Sequence, residues 1–412
     1  MKRKPTHFQP AALFRVSLLG VALFLNPVTR GVLLSEEDGV AFHMEVHTVG
    51  RLQALDHRAN DKEAAGFSNE QLSDGGFQFA IGNLGWRLVH REDYEVFFDV
   101  TVASRVHNDK MWGHQGYIVL KQMPDDSLVP WANGLFQFVD IKAGHFIIDF
   151  GNEVHRRSLN ADTQRNPLVG NPVVSPHATE AGIEIIHQNE RDFGVMLGFG
   201  SGVATENFTE DSHLSYRGKI WGEVPGVPLA ASASYYRADH GESVSRGSNL
   251  FRTERLGGQY AGIWDDSASV GQVLIGNGTQ LEAWQVDADW QPGTRIGLSG
   301  FVGQAKDQNT DGDESWMYYG VTGKLNLIGD DLYLAARYSS ADASRLGGDS
   351  NNDGRVDRWQ VGAGARLFDG LLLKLEYVHQ RSSGFQSGTF GDVELNEDPG
   401  FQGLIMEFSF SF

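Results

Sequence analysis

Along most of this chain apolar and polar residues alternate with a period of two, and the pattern restarts about sixteen times, which marks strands, because alternate side chains leave a strand on opposite faces. In the last segment Leu404, Met406, Phe408, Phe410 and Phe412 form one face, and Gly403, Glu407, Ser409 and Ser411 the other, with Ile405 out of pattern. Upstream, Leu371, Leu373, Leu375 and Tyr377 alternate with Lys374, Glu376 and Gln380. Before them Trp359, Val361, Ala363, Ala365 and Leu367 alternate with Arg358, Gln360, Gly362, Gly364 and Arg366, and Asp369-Gly370 between the two runs is a tight hairpin signal.

Read this way, strands fall at 40–56, 76–90, 94–107, 114–123, 134–147, 180–188, 193–204, 212–223, 228–238, 280–290, 294–305, 315–327, 331–341, 357–367, 371–382 and 401–412. The alternation slips near Gly144, and the 239–279 connection has room for a further hairpin around Tyr260 to Ile275. Short turns alternate with longer, more acidic connections. An even strand count returns both ends of the sheet to the short-turn side, as closure into an antiparallel barrel requires. The fold class expected is therefore all-β, a transmembrane antiparallel β-barrel of about 16 strands. A soluble sandwich or solenoid also alternates, but fits one-sided short turns poorly.

Several classes are excluded by composition. Of 412 residues none is Cys, which rules out disulfides, zinc–thiolate sites and a Cys nucleophile. The net charge of −19 argues against nucleic acid, whose phosphates need clustered Lys and Arg. Lys2, Arg3 and Lys4 precede an apolar run, Ala11 to Leu25, that Asn26-Pro27 breaks. This reads as a signal peptide, too short for a spanning helix. Residues 1–39 are assigned to the signal and leader, with the cleavage site open, and 40–412 to a single barrel.

The face opposite the apolar one carries Arg51, Arg87, Arg105, Lys142, Arg217, Lys219, Arg295, Lys324, Arg337, Arg358, Arg366 and Lys374 against Glu45, Glu95, Asp99, Asp140, Glu184, Asp287, Asp289, Glu376 and Glu407. Many can pair as a wall lattice. So many charges still call for water, and so for a channel, whose slight surplus of bases favours anions. Lys142, Arg217, Lys219 and Arg366 are the candidate pore-lining bases of the wall. The third long connection, 152–179, adds His155, Arg156, Arg157 and Arg165 among Asn152, Asn160, Asn166 and Asn171. Arg presents a fixed fork of donors to phosphate or carboxylate, so the segment reads either as an anion-attracting constriction or as a loop whose arginines clamp the wall.

Two acidic connections place oxygen ligands at calcium-loop spacing: Asp349, Asn351, Asp353 and Asp357, and Asp307, Asn309 and Asp311. Neither has the Glu that closes such a loop, since Gln360 and Tyr318 stand there, and Asp/Asn/Gly-rich turns account for both equally. Calcium in these outer loops is the cofactor that such spacing would hold. His43, Glu45 and His47 share a strand face and could chelate a metal, or merely line a wet wall. No Gly-x-Ser-x-Gly elbow or His-Glu-x-x-His pair occurs, so no enzyme is expected.

Phe408, Phe410 and Phe412 form an aromatic-x-aromatic-x-Phe terminus that resembles the assembly signal of bacterial outer-membrane proteins, and the whole chain after its leader resembles a bacterial outer-membrane porin. Within that class Ile141-Lys142-Ala143-Gly144-His145-Phe146, followed by Phe150-Gly151, loosely resembles the phosphate-selective porin O/P-like family, with Asp149 where that family carries Pro. The resemblance implies a water-filled channel for passive diffusion of small hydrophilic solutes, contact with outer-membrane lipid and lipopolysaccharide, a third loop that narrows the pore, and a homotrimer. The alternative is a non-transporting outer-membrane barrel acting as surface scaffold, adhesin or enzyme.

Overall fold

The computed structural model describes residues 32–37, 39–58, 75–91, 93–103, 111–123, 129–156, 160–175, 178–189, 193–202, 214–239, 250–251, 280–309, 312–345, 353–384 and 400–412. Seventeen strands lie in one antiparallel sheet. They are β1 (Val32–Glu37), β2 (Val40–Arg58), β3 (Gly75–His90), β4 (Tyr94–Ala103), β5 (Met111–Leu120), β6 (Asp140–Ile147), β7 (Thr179–Gln188), β8 (Gly194–Gly200) and β9 (Leu214–Glu223), then β10 (Leu229–Asp239), β11 (Gln280–Trp290), β12 (Ile296–Asn309), β13 (Gly312–Ile328), β14 (Leu332–Ser344), β15 (Gly354–Phe368), β16 (Leu371–Ser383) and β17 (Gly400–Ser411). Each strand from β2 to β17 pairs with its chain neighbour, and β17 returns to β2, from Gly400 opposite Arg58 to Ser411 opposite His47. The sheet is thus a closed antiparallel barrel of sixteen strands, β2 to β17, with no free edge in the wall.

All sixteen strands read from the sequence are present, and the differences are local. Residues 32–37, read as leader, form β1, which pairs with β2 from Val32 opposite Met44 to Glu37 opposite Val40. Residues 134–139 were expected to begin a strand. Instead Asn133–Phe136 is a helical turn, and β6 starts only at Asp140. Gly144, where the alternation slips, has φ 136°, and a Cβ there would lie 2.3 Å from the Gly116 carbonyl oxygen, so the slip marks a kink that needs glycine. On the long-loop side only two residues separate β12 from β13, and Asn309 stands opposite Gly312. Residues 240–249 and 252–279, with the hairpin considered there, and residues 1–31 lie outside the described residues.

Alternation sorts the side chains as a membrane barrel requires. Phe98, Ile183, Leu197, Val302, Val321, Val361, Leu375 and Leu404 stand exposed on the outer face, while Arg51, Arg217, Arg358, Lys374, Glu376 and Glu407 are buried on the inner one. An exposed apolar belt around a closed sheet suits hydrocarbon, where every backbone group must already be paired. Of the tryptophans near strand ends, Trp290 and Trp359 face outward, but Trp221 and Trp316 are 4% and 3% exposed and turn inward.

At the seam the Val46 N–H donates to the Phe412 carbonyl at 2.9 Å, and the Phe412 N–H donates to the Val46 carbonyl at 3.0 Å. Deleting Phe412 removes both bonds together with an outward ring. The expected outcome is a lower yield of folded barrel, seen as loss of the fast-migrating band in unheated gel samples. Wild-type yield and mobility would contradict it.

Candidate functional site

The connection from β6 to β7 (148–178) does not rise out of the barrel. It turns at Gly151, whose φ is 68° and whose Cβ, were there one, would lie 2.2 Å from Gln285 Nε2, so only glycine can make this approach to the wall. The chain is then stitched to three inner walls in turn. On β9, Lys219 Nζ donates to Asp149 Oδ1 at 2.6 Å and to the Gly151 carbonyl at 2.9 Å. On β10, Ser234 Oγ accepts from the Gly151 N–H at 3.0 Å, and Ser232 Oγ donates to Asn152 Oδ1 at 2.9 Å. On β11, Asp287 accepts from the Asn152 N–H, and Asp289 binds both the Asn152 amide and the Arg156 guanidinium.

The loop then reaches the opposite strands. Arg337 on β14 donates to the Gly170 carbonyl at 2.9 Å and to Asn166 Oδ1 at 2.8 Å. Gln360 on β15 donates to the Val169 carbonyl at 2.7 Å, and Glu376 on β16 accepts from the Val169 N–H at 2.7 Å. Lys374 on β16 donates to the Thr163 carbonyl at 2.6 Å, and Gln164 donates to the carbonyls of Gly370 and Ser409. A segment held by β9–β11 at one end and β14–β17 at the other crosses the lumen. The loop is thus clamped to the wall and also spans the lumen.

Above it, toward the long-loop rim, the lumen is dry on one side. Ile148, Phe150, Val154, Val173, Val174 and Ala178 of the loop pack on inward-facing Tyr236, Ala238, Leu281, Ala283, Trp316, Tyr318, Ala341 and Ala343, with Leu250 and Phe251 between. The Phe150, Phe251 and Tyr318 rings meet edge to face at 6.0 and 5.6 Å. The inner face was expected to be too polar for a core. Along β10–β14 it is one, because the inward positions near that rim are Ala, Leu and aromatics.

Elsewhere the inner charges pair. Arg51 and Lys374 both donate to Glu407 at 2.8 Å, Arg217 binds Glu180 and Glu184, and Arg87 binds Glu95. Arg217 and Lys219, expected as pore-lining bases, have side chains only 0% and 2% exposed and serve as wall ties. Lys142 sits 3.6 Å from Glu184 with its ammonium over the Phe146 ring. The solvent-reached cations gather on the short-turn side of the loop instead. Arg156 is 27% exposed, Arg165 22% and Lys324 34%. Arg366 donates to Gln164 Oε1 at 3.2 Å, and Lys324 lies within electrostatic reach of both Arg366 and Arg156. Facing these four cations are Asp289, paired with Arg156, Asp162, 3.4 Å from Arg165, and Asp330, 4.0 Å from Lys324. Lys324 and its neighbourhood were visible in the sequence only as one wall base among twelve.

Within the loop, burial alone would raise the Asp149 carboxyl, but the Lys219 ammonium and the His155 ring outweigh it and hold the group well below the usual carboxylate range. Burial pushes the Glu153 carboxyl up, with the Arg337 and Arg156 guanidinium groups acting against it. A cleft of about 10 Å³, room for a single water, separates the loop from Asp287, Asp289, Ser299, Phe301 and Thr322.

The remaining candidates fall elsewhere. Arg157, Asp311, Asp349 and Asn351 lie outside the described residues. Asp307 and Asn309 belong to β12 rather than to a loop, and Asp307 is 2% exposed. Asp357 lies on β15 and accepts from Arg355 at 2.8 Å and Tyr338 at 2.6 Å, while Asp353 accepts from the Arg345 N–H. Among the described residues no group of three or more His, Cys, Asp or Glu is placed to hold a metal ion. His47 of the His43–Glu45–His47 face instead binds Ser411 Oγ at 2.9 Å across the seam and stands 3.5 Å from Glu45.

A closed antiparallel sheet with an apolar exterior, a charged interior and an inward third loop defines the transmembrane β-barrel class. No family model matches the chain, and no curated protein matches it. Among solved structures it is similar to OmpT, an outer membrane protein of Vibrio cholerae, at 12% identity and TM-score 0.58 over 92% of this chain and 99% of that one. It is similar to the outer membrane channel DcaP of Acinetobacter baumannii at 11% identity and TM-score 0.55, over 92% of this chain and all of that one. It is also similar to an anion-selective porin from Comamonas acidovorans at 12% identity and TM-score 0.55, over 90% and 100%.

Proposed function

We propose that this protein is an outer-membrane porin, a hydrated channel for passive diffusion of small solutes with a weak preference for anions. The observation that carries the reading is the group Arg156, Arg165, Lys324 and Arg366, brought together by the lumen-crossing loop and faced by three carboxylates, Asp289, Asp162 and Asp330. Buried inner-wall atoms without a protein partner, among them Asn83 Oδ1, Gln380 Nε2, Ser382 Oγ and Ser409 Oγ, support hydration of the lumen. The net charge of −19 acts against anions at the mouth, but exposed charges beyond about 8–10 Å are screened in physiological salt. The porin-like neighbours support a channel, and the Comamonas protein supports one selective for anions. A V. cholerae OmpT structure described as a trimer form supports a homotrimer.

In planar bilayers the protein should give stable conductance steps and, in a salt gradient, a reversal potential of anion-selective sign. Arg156→Ala/Lys324→Ala/Arg366→Ala should move that potential toward zero or reverse it. Cation selectivity in the wild type, or an unmoved potential in the variant, would refute the preference. The dry cluster beneath the long-loop rim favours one other reading, a closed barrel acting as a scaffold, and absence of any conductance would establish it.

A further inference from the structure

The segment Val129–Phe138 contains no charged residue, although it connects β5 to β6 on the rim of the short turns, where water is expected. It is a built structure. The Met123 N–H donates to Asn133 Oδ1 at 2.7 Å, Asn133 Nδ2 donates back to the Met123 carbonyl at 3.1 Å, and Phe136 is tucked in at 9% exposure. It also lies outside the barrel wall. His187 shares the outward face of β7 with exposed Ile183 and Ile185, and its Nδ1 donates to the Phe138 carbonyl at 2.6 Å. Trp131, Leu135 and Phe138, spaced four and three residues apart on one face, are 80%, 54% and 64% exposed, matching lipid-belt residues such as Val361 at 57% and Leu375 at 52%.

We propose that this segment is an interfacial foot, whose Trp131, Leu135 and Phe138 rest in the periplasmic leaflet of the membrane and continue the apolar belt beyond the ends of β5–β7. The occupant is lipid, for three reasons. The patch is continuous with the belt across His187. It carries no charge to match a soluble partner. It combines a Trp with aliphatic and Phe side chains, the set that settles at a membrane boundary, whereas the same patch in water would be an association liability. The foot rests on the barrel's spanning a membrane and is independent of whether the lumen conducts.

The absence of cysteine makes the test direct. Leu135→Cys and Phe138→Cys, each carrying a nitroxide label, are compared in phosphatidylethanolamine–phosphatidylglycerol vesicles with Leu375→Cys on the belt and Asp331→Cys in an exposed turn of the same rim. Power saturation should give labels 135 and 138 an oxygen-to-nickel-chelate accessibility ratio close to that at 375 and several-fold above that at 331. A ratio equal to that at 331 would place the segment in water and overturn the proposal. Low accessibility to both reagents, with line broadening that vanishes on dilution with unlabelled protein, would assign the face to a second copy and overturn it equally. Heat-modifiable mobility of each labelled protein shows that the barrel has folded.

Discussion

Replacing Glu407 with Leu will cost the barrel about 3–5 kcal/mol, the loss expected when one partner of a buried charge network is removed. Glu407 takes Arg51 on one oxygen and Lys374 on the other, and the three side chains are 1%, 4% and 2% exposed. Without the carboxylate two cations remain in a wall that water scarcely reaches. Lys374 also holds the Thr163 carbonyl, so the third loop loosens at the same point. Urea unfolding in detergent micelles, followed by tryptophan emission, measures the loss. The triple variant Arg51→Met/Lys374→Met/Glu407→Leu should recover most of it, because the penalty lies in the stranded charges rather than in the missing bond. A single-variant loss below about 1 kcal/mol, the size of an ordinary substitution, would show that water already screens the trio.

Excising residues 152–175 in favour of a short Gly-Ser linker will raise unitary conductance several-fold and weaken selectivity. The segment is tied to β9–β11 at one end and to β14–β17 at the other, so it occupies the cross-section that ions would use in the proposed channel. It also carries Arg156 and Arg165, half of the clustered cations, leaving Lys324 and Arg366 on the wall. Single-channel recording reads both effects. Unchanged conductance would mean that the restriction lies elsewhere, and the dry cluster of Phe251, Trp316 and Tyr318 would then be where to look.

The wall was legible because a strand's two faces meet different surroundings, and a period of two records that directly, as in Leu371–Tyr377 and Leu404–Phe412. Interruptions to the rule were less legible. Residues 134–139 are apolar enough for a strand, but Asn133 binds the Met123 backbone and turns the chain into a helical loop. Trp221 and Trp316 lie near strand ends, where an aromatic suggests a rim, but parity alone decides inside from outside, and both fall on inward positions. The site was half legible. Its arginines stand out on the third loop. Which wall bases pair and which meet water depends on partners far apart in sequence, such as Lys374 with Thr163 or Arg337 with Gly170, and no local pattern encodes those.

The wall groups that hydrogen-bond the third loop belong to side chains of β9, β10, β11, β14, β15 and β16 and to the Ser409 carbonyl of β17, and every one of these strands follows the loop in the chain. A barrel emerging from its N-terminus therefore makes the loop long before it makes the loop's receptor. Until Lys374 and Glu376 arrive, a stretch rich in Val, Asn and Arg lacks part of its seat, and it must be kept from pairing with other chains. The same late strands contribute the seam, where β17 meets β2. Sealing the wall and seating the lumen-crossing loop thus become a single terminal event, and a barrel that fails to close is left with its loop unseated as well.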